Sequence, residues 1–450
     1  MSASLAGLKV FVRTFGCQMN ENDSEHITGV LVQAGASRAS GPEDADIVVV
    51  NTCAVRQKSE EKLYSYLGRL SRLKKKRPFI LGLAGCVAQV RQAGLIEKLP
   101  FVDFVAGPDS TLDLPEIVGR AAEAPVVRTD FGRDWREIGA GATCRETPWS
   151  AFVPVMEGCD NFCAYCIVPF SRGREKFRPL PNVLGEVRAA VEAGALEVQL
   201  LGQNVNSYRD PQSGIGFAGL LDAVTAAPGI EWVRFITSHP KNFGDDIIRA
   251  MAASPKVCPA LHLPLQSGST RVLERMNRGY TREDYLALVG RLKRSVPGLL
   301  LMTDVIVGFP GETEEDFEAT CTLLREVGFS GIFSFRYSPR PLSAGAAIAD
   351  DVPLEVKRRR LIALQSLQKT IQTEIYRSFV GQDLRILGTG PSPKGAGRFS
   401  GRTSGNLVVN FDASSDPSGR FVTVRITGSG PYSLHGALHK GADSDIIHRP

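Results

Sequence analysis

Cys159, Cys163 and Cys166 stand in a C-x3-C-x2-C spacing within EGCDNFCAYCIVPFSRG. Structural zinc sites prefer four protein ligands drawn from paired Cys or mixed Cys/His units, and no fourth Cys or His lies near this run. Three thiolates instead suit a cubane [4Fe–4S] cluster whose fourth iron stays open to a small molecule. Three more cysteines, Cys17, Cys53 and Cys86, sit in TFGCQMNENDSE, VVVNTCAVRQKSEEK and GLAGCVAQ. At 36 and 33 residues apart they make no local motif. Each follows a run of β-forming residues, so one sheet edge can gather all three. The other reading is packed free thiols, but the neighbours Gly16, Gln18, Asn20, Asn51, Thr52 and Gly85 are small or polar and suit a ligand pocket better than an apolar core. Cys144, Cys258 and Cys321 fall outside both sets, and Cys321 reads as a helix packing residue.

The elements that must position these thiols follow from hydrophobic rhythm. Short strands at 8–13, 46–50 and 79–84 each hand over to one cysteine, with helical patterns at 24–36 and 55–75 between them. Repeated strand–helix units predict an open α/β domain over 1–125, with ligands at the edge where strands end. Residues 126–148 have weak periodicity and read as a linker. From 149 to 378 about six βα units follow, short of the eight that close a TIM barrel, so a partial (β/α)6 barrel is expected. Its last element is a long amphipathic helix at 353–378. Residues 379–440 carry short strands between Gly/Ser/Pro turns, as in a small all-β barrel, and GADSDIIHRP reads as a loose tail.

Composition agrees with that size. A chain of 450 residues, 43% hydrophobic and 22% charged, builds several packed domains. Its net charge of +5 excludes a histone-like tail protein but allows local basic surfaces. No apolar run approaches a membrane span, and the N-terminal MSASLAGLKVFVRTFGCQMN has no export-signal pattern. Nine cysteines without such a signal point to a reducing cytoplasm, not to a disulfide scaffold.

With Tyr165 before its last cysteine, the Cys159/Cys163/Cys166 loop resembles the signature of the radical S-adenosylmethionine (SAM) superfamily. The resemblance implies that the open iron chelates SAM, whose reductive cleavage yields a 5′-deoxyadenosyl radical. The segments around Cys17, Cys53 and Cys86 resemble the N-terminal domain of the methylthiotransferases, which implies a second, auxiliary [4Fe–4S] cluster there. The likeness spans nearly the whole chain and includes a C-terminal TRAM domain. TFGCQMNENDS, LLGQNVNSY, SHP, HLPLQSGS and DVIVGFPGET are most similar to the MiaB branch, which acts on tRNA. The implied reaction installs a methylthio group at C2 of N6-isopentenyladenosine beside the anticodon, using two SAM molecules and two clusters. An electron-donor protein and a sulfur or cluster supplier are implied partners, and nothing demands more than a monomer. The alternatives are a threonylcarbamoyl-adenosine or ribosomal-protein methylthiotransferase, or a non-catalytic iron–sulfur RNA-binding protein.

Further site residues follow from the same comparison and from the rule that barrel ligands sit at strand ends. Gly202, Gln203 and Asn204 close one predicted strand, and His262, Gln266 and Ser267 come near the end of another. Asp304 opens a strand followed by Gly308, Phe309, Pro310 and Gly311, a turn expected to line the adenosine or methionine pocket. It is not a P-loop, since it lacks the required spacing and lysine.

Two basic runs, one formed by Lys58, Lys62, Arg69, Arg72, Lys74, Lys75, Lys76 and Arg77 and one by Lys357 to Arg360, are candidate phosphate contacts. Between 380 and 430, six Lys/Arg face three Asp/Glu, and FSGRTSGNLVVNF resembles the tRNA-binding TRAM consensus. Two departures stand out. ILGTGPSPKG replaces the usual opening of that domain, and Arg340-Pro341-Leu342-Ser343 replaces the usual Arg-x-Gly-Thr-Pro run.

Overall fold

The computed structural model describes residues 4–55, 57–236, 238–393, 395 and 397–439; the expected tail at 441–450 lies outside them. The N-terminal domain is a six-stranded parallel sheet in the order second, first, third, fourth, fifth, sixth strand. Its central strand Ile47–Thr52 (IVVVNT) is buried along its whole length, as expected where helices cover both faces. Helices Gln18–Gln33 and Leu114–Ala121 pack on one face through Ile27, Leu31 and Ile117. Helix Gln57–Lys76 packs on the other through Leu63, Leu67 and Leu70. The strand order reverses between the first and third strands, and such a switch point opens a crevice at the carboxyl edge of a parallel sheet.

The sixth strand, Val126–Arg128, lies inside the stretch expected to be a linker. It pairs with Phe104–Ala106, and this strand addition is what single-sequence periodicity missed over three residues. The rest of the connector is pinned as well. Arg136 pairs with Asp113 at 2.7 Å and Arg145 with Glu186 at 2.8 Å, while Glu137 pairs with the buried Arg178.

The central domain carries six parallel strands, Ser150–Pro154, Glu197–Leu201, Trp232–Ile236, Ala260–His262, Leu300–Val307 and Gly331–Arg336. They form two three-stranded arcs joined by a bridge from Val233 to Val257. Strand Leu300–Val307 alternates strictly, so Leu301, Val305 and Val307 face the helices while Met302 and Asp304 face the barrel interior. Helix Glu314–Val327 shows why its ends fall where they do: Thr313 and Asp316 form a capping box, and Gly328 closes it in the left-handed conformation. The long helix Leu354–Arg377 runs along the last strand and covers its exposed edge, with Gln368 donating to Phe329 O at 2.7 Å.

A closed five-stranded barrel at 383–438 docks beneath the central domain, at the N-terminal ends of its strands. Arg234, 2.5 Å from Glu197 inside the partial barrel, donates to Ser404 O and Thr403 O. Trp232 meets Phe421 edge-on, and Cys258 is buried in this seam with Leu387. Cys321 lies in the central core, the packing role expected of it.

The N-terminal domain docks at the opposite end, onto the cysteine loop. Lys176 binds Asp109 at 2.6 and 2.7 Å, and Glu25 accepts from Glu146 N at 3.1 Å. Burial lifts the Glu25 carboxyl from its ordinary value near 4.5 to about 7. The folded state therefore holds a proton that the unfolded state releases, and stability falls as pH rises through that window. Glu25→Gln removes this penalty. Its stability gain over the parent is expected to grow from near zero at about pH 4 to the order of 3 kcal/mol at about pH 8, read by chemical denaturation.

Candidate functional site

The three N-terminal cysteines meet at the carboxyl edge of the sheet because the strand register aligns their strand ends. Phe15 pairs with Thr52, and Thr52 with Gly85, so Cys17, Cys53 and Cys86 emerge one or two residues later on neighbouring strands. Cys17 and Cys53 flank the switch point. Cys17 caps helix Gln18–Gln33, where the helix dipole favours a thiolate. A hydrogen bond with Cys53 is the main cause holding the Cys17 thiol down at about 6; that bond and burial push Cys53 up. An amide network supports the edge: Asn20 Oδ1 lies 3.4 Å from Cys17 Sγ, and Asn51 Nδ2 donates to Asn20 O at 2.9 Å and to Ser24 Oγ at 2.9 Å. Gly85 has φ +85°, and a Cβ there would overlap Asn51 Oδ1, so this residue's smallness lets the strand end approach the network.

The second trio lies on the loop after strand Ser150–Pro154, at the mouth of the partial barrel. Asn161 Nδ2 reaches Cys159 Sγ at 3.4 Å, and Val168 N donates to Cys166 Sγ at 3.4 Å. Arg278 Nη1 lies 3.3 Å from both Cys163 Sγ and the Tyr165 hydroxyl, while its Nη2 donates to Pro264 O at 2.8 Å. His239 Nε2 is 4.0 Å from Cys163 Sγ, and burial, with Arg278 and Lys241, holds this imidazole neutral with a pKa of about 2. Burial raises Cys159 to about 11 and Cys166 to about 12, so ionisation of these thiols requires a cation to bind them.

Gly158 fixes the entry to this loop. Its φ is +80°, and a Cβ would overlap the carbonyl of Arg174. Gly158→Ala is expected to destabilise the fold by about 2–4 kcal/mol, through backbone strain and overpacking, and to lower the iron taken up on reconstitution. Thermal unfolding and an iron assay check both.

The other expected site residues divide. Gln203 Oε1 accepts from Gly158 N at 2.6 Å, so it holds the cysteine loop. Asn204 Nδ2 donates to Glu175 Oε1 at 3.0 Å, and Gly202 lets Met156 approach to where a Cβ would stand 2.6 Å from its sulfur. His262 Nε2 lies 3.3 Å from Asp304 Oδ2 inside the barrel, with both side chains about one-fifth exposed or less. Gln266 takes φ +70° and extends the strand ladder to Asp304 and Ile306. Ser267 is fully buried and serves its own turn, accepting from Ser269 N at 3.3 Å. Gly308, Phe309 and Pro310 are buried, and Phe309 packs 5.0 Å from Tyr337 in a cluster with Ala164, which ties this turn to the cysteine loop.

Some of the buried polar atoms without a hydrogen-bond partner lie at the mouth. Asn204 Oδ1, Ser238 Oγ and Gln266 Oε1 come from the segments following three successive strands. Such atoms are costly to bury unless a ligand satisfies them. With three thiols beside them, they fit a cluster carrying a polar cosubstrate. Among the described residues no three His, Cys, Asp or Glu side chains are gathered to hold a single metal ion; the fit to a cluster rests on the donor chemistry.

One residue that sequence reasoning missed links the two trios. Arg172, 3% exposed, donates from Nε to Cys86 Sγ at 3.3 Å and pairs through both terminal nitrogens with Asp23. Its own backbone N–H bonds Val168 O at 2.8 Å, in the short helix that follows Cys166. A segment of seven residues, 166–172, thus touches a thiol of each set. The signal for it was an arginine embedded in the buried-looking run IVPFSRG.

The second basic run is corrected by its partners. Lys357 and Arg360 are buried, paired with Asp350 and with Glu312 at 2.8 Å, while Arg358 and Arg359 pair with Glu355 and Glu314. That run clasps the long helix to the barrel and presents no free row of cations. In the first run Lys74 is tied to Asp103, and Arg77 to Pro42 O and Ala45 O. Lys62, Arg69, Arg72, Lys75 and Lys76 are exposed, and the Lys58 side chain lies outside the described residues.

Comparison with known proteins accounts for this arrangement. Residues 9–107 match the model described as uncharacterized protein family UPF0004, 153–324 the radical SAM superfamily and 377–438 the TRAM domain. A radical SAM methyltransferase, TsrM from Kitasatospora setae, shares the fold at a TM-score of 0.54 and 14% identity, over 86% of this chain and 79% of that one. The tRNA-2-methylthio-N(6)-dimethylallyladenosine synthase of Geobacter metallireducens is 45% identical, over 95% of this chain and 98% of the relative. The synthases of Geotalea uraniireducens and Myxococcus xanthus are 47% and 44% identical over 95% of this chain, and over 98% and 93% of their own lengths. The chain belongs to the family of tRNA-2-methylthio-N(6)-dimethylallyladenosine synthases, the MiaB-type radical SAM methylthiotransferases.

Proposed function

We propose that this chain replaces the C2–H of N6-isopentenyladenosine in tRNA by C2–SCH3. The observation that carries the reading is the pair of three-thiol sets joined through Arg172, on a chain 44–47% identical to the synthases over nearly its full length. Cys159, Cys163 and Cys166 would hold the SAM-cleaving [4Fe–4S] cluster, and Cys17, Cys53 and Cys86 the auxiliary one. When bound, these groups supply one-electron reduction of SAM and a sulfur that accepts a methyl group from a second SAM. The protein's part is positioning. Asn204, Ser238 and Gln266 offer polar atoms to the cosubstrate, Arg278 and Tyr165 fix Cys163 and its loop, and His262 with Asp304 faces the barrel interior. A radical route suits a C–H bond that no acid–base pair in the site could activate.

The working units are residues 1–128, a pinned connector from 129 to 148, the barrel domain 149–378 and the TRAM domain 379–440. The reaction needs an external electron donor and a sulfur or cluster supplier, and a cytoplasmic monomer meets its demands. Among the described residues no helix is long and apolar enough to cross a membrane. Reconstituted protein offered isopentenylated tRNA, threonylcarbamoylated tRNA, unmodified tRNA and ribosomal protein in parallel should methylthiolate the first alone. Methylthiolation of ribosomal protein or threonylcarbamoylated tRNA instead would overturn the substrate assignment.

A further inference from the structure

We infer that the Arg172–Asp23 pair sets the charge at the auxiliary thiol site and keeps that site from competing for the electron the SAM-cleaving site needs. The inference rests on the auxiliary-cluster reading above.

Each trio has one buried arginine on one thiol: Arg172 Nε lies 3.3 Å from Cys86 Sγ, and Arg278 Nη1 lies 3.3 Å from Cys163 Sγ. Hydrogen bonds and positive charge at thiolate ligands stabilise the electron-rich form of an iron–sulfur cluster, and they act strongly where water is excluded. The two arginines differ in what else they touch. Arg278 bonds Pro264 O and the hydroxyls of Tyr165 and Tyr280, all neutral groups, so its charge is spent on the SAM-cleaving site. Arg172 is matched by the Asp23 carboxylate on both terminal nitrogens, with Glu157 3.9 Å away. The auxiliary thiols receive the hydrogen bond while most of the Arg172 charge is cancelled, and the half-buried Arg340 adds a separate positive charge near Cys53. Asp23 arrives on helix Gln18–Gln33, which Cys17 itself caps, whereas Arg172 arrives from the other domain. The balance therefore exists only when the two domains are docked.

The two members of the pair act with opposite sign, and this separates charge tuning from a purely structural latch. The test uses the full chain with Cys159, Cys163 and Cys166 all changed to Ala, reconstituted with iron and sulfide so that one site remains. Its midpoint potential is read by dithionite titration followed by electron paramagnetic resonance. Adding Arg172→Gln should shift the midpoint to lower potential, and adding Asp23→Asn, which keeps the arginine, should shift it higher. In the enzyme with all six cysteines, Asp23→Asn should also slow SAM cleavage severalfold. Shifts of the same sign, or none, overturn the inference. If Arg172→Gln fails to fold, the direction of the Asp23→Asn shift decides alone. A parent triple variant that takes up no iron overturns the auxiliary-cluster reading itself.

Discussion

Changing Cys17, Cys53 or Cys86 to Ala is expected to abolish methylthio transfer while SAM cleavage continues. The three thiols stand on adjacent strand ends in aligned register, in a domain whose cores are separate from that of the barrel. Losing one should empty the auxiliary site without unfolding the other. Cys17 is the most informative position because its thiol serves three purposes: it caps a helix, bonds Cys53 and is held toward the thiolate. Cys17→Ser keeps an N-cap oxygen and a hydrogen-bonding group but offers a poor iron ligand. If the role is ligation, Ser and Ala variants should lose 2-methylthio product alike, by at least about 10³-fold, with 5′-deoxyadenosine formation within a few-fold of the parent. If the role were capping alone, Ser would rescue. Mass spectrometry of tRNA nucleosides and liquid chromatography of SAM products read both quantities from one incubation.

Changing Cys159, Cys163 or Cys166 should stop both reactions together. These thiols sit at the barrel mouth among unpartnered polar atoms, and burial holds Cys159 and Cys166 protonated until a metal claims them. With two ligands left, an open-iron cluster has no stable seat, and SAM cleavage should drop by at least about 10³-fold with methylthio transfer following it. The asymmetry between the trios is the signature to look for: loss at the barrel silences the sheet edge, but not the reverse. Iron content should fall by about half in either triple variant, since each removes one of two equal clusters.

Much of this arrangement was legible in the sequence because chemistry and secondary structure adjoin. Strands run almost directly into Cys17, Cys53 and Cys86, so a parallel sheet had to bring them to one edge. The C-x3-C-x2-C loop carries its meaning locally. What stayed hidden depends on partners distant in the chain. Arg172 reaches Cys86 and Asp23 across a domain junction, 86 and 149 residues away. The 357–360 run looked like an RNA surface because Asp350, Glu312 and Glu314, which neutralise most of it, come from other segments. The packing of Phe309 with Ala164 and Tyr337 likewise joins residues far apart in the chain, which no local pattern shows. Val126–Arg128 is too short for any period to show; only its pairing to the sheet edge defines it. Leu342, at the glycine position of the expected run, adopts φ +67° and is 62% exposed, a conformation that glycine takes more easily.

The most direct test of the whole account uses isopentenylated tRNA carrying deuterium at C2 of the target adenine, incubated with the reconstituted chain, reductant and SAM. Deuterium should appear in 5′-deoxyadenosine in step with the loss of the C2 label and the gain of a methylthio group on the same nucleoside. Methylthiolated nucleoside formed with no deuterium in 5′-deoxyadenosine would contradict the division of labour between the two cysteine sites.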